Sequence, residues 1–145
     1  QFAAALGRHD DRDRLPDRGE IHELGDDVKL GSLYGESAGR CLVPKVWRAV
    51  SAWDKMRGLL GRPPLADGEG LLIESCAMVH TFGMRYRLDL AFLDPQGRVV
   101  KLVAGLPPAR CAASLGAEAT LELAPGSLEQ LRLKVGDRLA WKEAA

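Results

Sequence analysis

Residues 88–103, LDLAFLDPQGRVVKLV, restrict the fold more than any other stretch of the chain. Two β-rich runs flank Asp94-Pro95-Gln96-Gly97, with proline at the second turn position and glycine at the fourth. Leu88, Leu90 and Phe92 alternate onto one face. This pattern predicts an antiparallel hairpin whose return strand runs from Arg98 to Val103.

The neighbouring segments extend the same reading. Lys45 to Val50 alternates, with Val46, Arg48 and Val50 opposite Trp47 and Ala49, the period of a strand. In SAWDKMRGLLGRPP, Ser51 can cap a helix, Asp54 follows three residues later, and Trp53, Met56 and Leu60 recur at helical spacing. Gly61 supplies an exit and Pro63 with Pro64 forbid continuation, so a helix of about ten residues is expected. LLIESC reads as a buried strand. The double proline of GLPPARC predicts a loop. Thr120 to Leu123 is a further strand with Leu121 and Leu123 inward. PGSLEQLRL predicts a short helix with Ser127 as cap and Gln130 reaching back. KVGD is a turn into a last strand, Arg138 to Lys142. The expected class is α+β and mainly β: a compact antiparallel sheet or partly closed small β-barrel with two short helices packed against it.

Composition sets outer limits. At 145 residues with 46% apolar content and formal net charge zero, the chain suits one domain and lacks the basic surplus that phosphate binding needs, so nucleic acid is not an expected partner. No run of eighteen apolar residues exists, and no membrane span is expected. Residues 1–40 mix charge and glycine with isolated apolar side chains; they read as a flexible extension before a single domain over 41–145. His9 and His22 in that arm lack neighbours that would make a metal site. Because the chain begins at Gln1 rather than Met, a removed targeting signal would be invisible; cytoplasmic is the expected compartment, with an exported form as the alternative. Three cysteines, Cys41, Cys76 and Cys111, match neither a disulfide scaffold nor a zinc ribbon.

Chemistry concentrates in Ser75 to Asp89, SCAMVHTFGMRYRLD, which has no helix or strand period and reads as a site loop. Cys76 and His80, three residues apart between them, can form a thiolate and imidazole pair for nucleophilic catalysis or metal binding, with Cys111 or Asp89 as a third member. The opposing reading is a buried thiol beside a hydrogen-bonded histidine, with no metal. Cys76 and Cys111 can alternatively form a disulfide. Asp89 and Glu122 sit in strand-like apolar surroundings: either they form a carboxylate pair for acid and base work, or each is satisfied by loop amides or by Arg57, Arg62 or Arg110. Arg62 and Arg110 flank loops and can grip an anion through the planar guanidinium fork. Met78, Met84 and Phe82 are expected to plug the loop into the core.

The ordered set RGLLGR (57–62), EGLLIESC (69–76), VHTFGM (79–84), LDLAFLDPQGRVV (88–100), LPP (106–108), LELAPG (121–126) and VGD (135–137) resembles the prokaryotic domain of unknown function 192. That resemblance implies a compact, mainly β domain over about the last hundred residues and carries no established activity. Many relatives have Trp-Met-Lys-Asn-Thr where this chain has HTFGM, so it resembles a VHT-type variant. The expected function is a small non-catalytic binding or accessory module without a cofactor. It would present Arg62, His80, Thr81, Met84, Arg110 and Glu122 to a small anionic ligand or a peptide partner. The alternative is an enzyme or metal-binding protein that uses Cys76 and His80, with Asp89 orienting.

Overall fold

The hairpin expected at 88–103 forms as β5 (Leu88–Leu93) and β6 (Val99–Leu106). Asp94 makes its turn: the Asp94 carboxylate accepts from the backbone N–H groups of Gln96 and Arg98, both at 2.9 Å, and Gly97 adopts φ +81. The computed structural model describes residues 28–37, 39–49 and 65–144. Around the hairpin stand β1 (Val28–Gly35), β2 (Arg40–Ala49), β3 (Glu69–Glu74), β8 (Ala119–Leu123) and β9 (Leu139–Glu143). Together they form a seven-stranded sheet in the order β6-β5-β8-β3-β2-β1-β9. The short strands β4 (Met78–His80) and β7 (Cys111–Ala113) pair separately as a two-stranded sheet.

Every pair within the large sheet is antiparallel except β2 with β3. All six residues of β5 are buried, which requires cover on both faces of the sheet. One face gathers Trp47, Leu71, Leu90 and Phe92 with Val79 and Met84 from the 75–89 segment. The other gathers Val46, Leu72, Leu121, Leu123 and Leu139 with Leu128 from α1 (Ser127–Leu131). Among the described residues, no helix is long and apolar enough to cross a membrane.

The sheet curls until its outer strands touch at one end. Arg98 and Arg138 form an isolated antiparallel bridge. Around it, the Val99 N–H donates to the Asp137 carbonyl at 2.8 Å and the Leu139 N–H to the Gly97 carbonyl at 2.9 Å. Contact is confined to that end, so the barrel is not closed. Gly97 makes the approach possible, since a Cβ there would lie 2.5 Å from the Leu139 carbonyl oxygen.

Four expectations are corrected. Order does not begin near Leu42: Val28–Gly35 is a strand between β2 and β9. Two short strands, β4 and β7, form where loops were expected. Two helices are not supported; the helix predicted from Ser51 lies outside the described residues, and α1 alone is described. Ser127 is not its cap. Gly126 holds that position at φ +86 without a side-chain cap bond, and the helix start is served from elsewhere.

It is served by Asp89. Opposite Asp89, β6 carries an irregularity between the pairs Leu88 with Leu106 and Leu90 with Val103, so two residues face one as in a β-bulge. Gly105 takes φ +61 there and its N–H donates to Asp89 Oδ1 at 2.8 Å. Asp89 Oδ2 accepts from the Leu128 N–H of α1 at 3.0 Å. Charge-assisted bonds of this kind contribute about 1.5–3 kcal/mol each. Asp89→Ala is therefore expected to lower unfolding stability by about 3 kcal/mol or more, and Asp89→Asn by roughly half as much. Urea denaturation of the three proteins checks this, and equal midpoints would show that the staple is dispensable.

Candidate functional site

Strand register fixes which side chains share a face. Trp47 on β2 is level with Leu71 on β3, Leu71 with Glu122 on β8, and Glu122 with Leu90 on β5. Glu122 thus projects from the middle of the sheet, between two leucines, toward the face covered by the 75–89 segment. It is 1% exposed, and among the described residues neither carboxylate oxygen has a hydrogen-bond partner. Burial alone pushes its carboxyl from 4.5 up to about 7.

Two further buried polar atoms of this layer, the Tyr86 hydroxyl and Trp47 Nε1, are also without hydrogen-bond partners among the described residues. Burial, and then the charge of Glu122, push the Tyr86 phenol up to about 12. An acceptor group, a phenol and an indole donor, all desolvated, lie on one covered sheet face. Buried polar groups are normally hydrogen-bonded, and these three have no such partner among the described residues.

The cover is tied down at both ends. The Cys76 N–H donates to the Glu118 carbonyl at 3.0 Å, and Thr120 Oγ1 donates to the Cys76 carbonyl at 2.8 Å. Farther along, Thr81 Oγ1 donates to the Pro107 carbonyl at 2.7 Å and accepts from the Arg110 N–H at 3.0 Å. Met84 is buried in the same cluster as Leu88 and Phe92. Between these anchors Gly83 turns at φ +83. Met78 and Phe82 do not enter the core: they are 61% and 53% exposed.

The predicted site residues are therefore divided. Thr81, Met84 and Glu122 are buried rather than presented on a surface, and Arg62 lies outside the described residues. Arg110 is exposed, with Nη1 donating to the Ala109 carbonyl at 3.1 Å. Asp89 and Glu122 do not form a carboxylate pair, because Asp89 is level with Leu123 and projects from the opposite face. Cys76 is buried and its thiol donates to the Met78 carbonyl at 3.2 Å. His80 is instead level with Cys111 across β4 and β7, with the His80 ring 5.8 Å from that of Phe82. All three cysteines are free, so the Cys76 to Cys111 disulfide is not formed. Among the described residues, no three of His, Cys, Asp and Glu are grouped to hold a metal. Tyr86 and Trp47 escaped the sequence reading; the alternation that put Trp47 opposite Val46 was the available signal for the latter.

The family model DUF192, described as uncharacterised ACR, matches residues 35–141. No curated protein matches the chain. Two crystal structures share the fold at 22% identity. One is a "putative transcription regulator" from Sinorhizobium meliloti 1021, with TM-score 0.64, covering 79% of this chain and 93% of the other. The second is a protein of unknown function from Novosphingobium aromaticivorans DSM 12444, with TM-score 0.60, covering 79% and 85%.

The state of Glu122 has a measurable signature. In the unfolded chain its carboxyl ionises near 4.5, whereas the folded chain holds the proton to about 7. Between those values the folded state binds more protons, so stability falls as pH rises through the window and levels above it. The expected loss is about 3 kcal/mol. Urea unfolding from pH 4 to 8 should show this decline in the native chain and its disappearance in Glu122→Gln, whatever the variant's absolute stability. Parallel curves would show that Glu122 ionises normally.

Proposed function

The chain belongs to the DUF192 family, and on that premise we propose that it is a small binding module whose recognition group is Glu122 beneath the 75–89 segment. The observation that carries this is a fully buried carboxylate neither of whose oxygens has a hydrogen-bond partner among the described residues, in a layer where the Tyr86 hydroxyl and Trp47 Nε1 have none there either. A carboxylate offers two parallel acceptor sites, which a planar amidinium or guanidinium group fills in a bidentate fashion. The occupant proposed is therefore an arginine-type side chain brought by a peptide partner. Met78 and Phe82, exposed on the same 75–89 segment, offer apolar contact to such a partner. An anionic ligand has less support, because the interior group is an acceptor and Arg110 stands exposed on its own loop. Net charge zero leaves nucleic acid without an electrostatic basis.

Benzamidine, a planar amidine on an apolar ring, tests the reading by calorimetric titration. Binding is expected to strengthen as pH rises through about 7, where Glu122 ionises, and to fall at least tenfold in Glu122→Gln. Unchanged affinity in that variant, or no binding at pH 8, would remove the proposal.

A second reading rests on the register of His80 with Cys111. Side chains directly opposite in antiparallel strands have Cβ atoms about 4.5–5.5 Å apart, close enough for imidazole to assist a thiol. Cys111 and Cys41 are both exposed, so each calibrates the other. If the pair is chemically active, iodoacetamide should modify Cys111 faster than Cys41, and His80→Ala should abolish the difference. Equal rates in the native chain would leave Cys111 an ordinary surface thiol.

A further inference from the structure

The sheet has a second concavity, on the face away from Glu122. Arg48 is level with Leu72, and Glu74 with Ala119, so both charged side chains project from the face that carries Leu72 and Leu121, near the end where the outer strands meet. A cavity of about 340 Å³ opens there, against roughly 30 Å³ for one water in the liquid. Leu33, Leu72, Leu93 and Leu139 form an apolar floor, and Trp141 a wall. Concave clefts lined by apolar side chains with a few polar groups are where small-molecule sites occur.

The polar lining selects the sign of a ligand. Arg48 is engaged twice: its Nε donates to Glu74 Oε1 at 2.7 Å, and its guanidinium lies 5.1 Å from the centre of the Trp141 ring. Trp141 is fixed in turn, with Nε1 donating to the Val46 carbonyl at 3.0 Å. With Arg48 matched by Glu74, the charges left at the mouth are Asp94 and Glu118. The Asp94 carboxylate accepts the two turn amides through one oxygen, and Glu118 is exposed with no side-chain bond or ion pair among the described residues. The cavity thus joins a leucine floor to an edge with two unmatched negative charges.

We propose that this mouth binds a primary ammonium group on an unbranched aliphatic stem, the stem lying on the leucine floor and the ammonium between Asp94 and Glu118. An alkylamine satisfies both halves at once: its methylenes leave water for the floor, and its three N–H donors face carboxylates. An alkanoate of equal length would gain the same floor but meet like charge at the edge. The proposal is independent of the Glu122 reading, since the two sites lie on opposite faces of the sheet.

The test is a titration of the full chain with n-hexylamine, n-hexanoate and n-hexanol, followed by NMR of the Trp141 indole N–H and the Leu93 and Leu139 methyl groups. Trp141→Phe identifies the indole signal. Hexylamine is expected to shift these signals with saturation, hexanoate not to do so at the same concentration, and hexanol to bind several-fold more weakly than the amine. Glu118→Lys, a change at an exposed side chain, should weaken hexylamine at least tenfold, while Glu122→Gln should leave its binding unchanged. Equal shifts from hexanoate, an unaltered titration in Glu118→Lys, loss of binding in Glu122→Gln, or no shift at Trp141 would each overturn the proposal.

Discussion

One buried carboxylate organises the hairpin end of the molecule. Asp89 is 1% exposed, and a charge so placed survives only if its oxygens are taken up. It meets that need with two backbone N–H groups that strand and helix geometry leaves over, Gly105 at the bulge of β6 and Leu128 at the start of α1. The bulge, the helix and the central strand are thereby made to agree on one arrangement. An apolar residue at this position would leave both N–H groups buried without partners.

Glu122 is the counterpart that none of the described residues satisfies. It is as buried as Asp89 and lies on the adjacent strand, yet it faces the other side and meets leucines. The two carboxylates look alike in sequence, each an acid among apolar neighbours. Their fates differ because a shift of one residue in strand register exchanges faces. Asp89 looks toward a bulge and a helix start, which have N–H groups to give. Glu122 looks toward a packed apolar layer, in which the Tyr86 hydroxyl and Trp47 Nε1 are likewise without hydrogen-bond partners among the described residues. The first arrangement contributes to holding the structure; the second stores an unmet demand for donors, and that is why function is sought there.

Much of the fold was legible because its signals are local. Asp94-Pro95-Gln96-Gly97 named its own turn, and the alternation in 45–50 and 120–123 assigned Trp47, Val46, Leu121 and Leu123 to the faces they occupy. β1 was not legible: Val28–Gly35 lies in a mixed-charge arm, and its stability comes from partners more than a hundred residues away on β9 as well as from β2. The same holds for β4, three residues whose strand character depends on pairing with β7 across the Pro107 loop. At the candidate site, the residue types Cys76, His80 and Glu122 were visible, but their company was not. Cys111 rather than Cys76 stands level with His80, and Tyr86 acquires meaning only when the 75–89 segment is laid over Glu122. Non-local register decides such neighbours, and no periodicity in one segment encodes it.

The glycine of the hairpin turn also carries a consequence for solubility. Strands at the margins of a sheet expose unpaired backbone groups that other chains can adopt. Here β6 and β9 are those margins, and their ends occupy each other through Val99, Asp137, Gly97 and Leu139. The contact depends on the absence of a side chain at Gly97, against which the Leu139 carbonyl rests. A residue chosen to reverse the chain between two strands thus also lets the ends of both margin strands spend their backbone groups on each other, through the room left by a single missing Cβ.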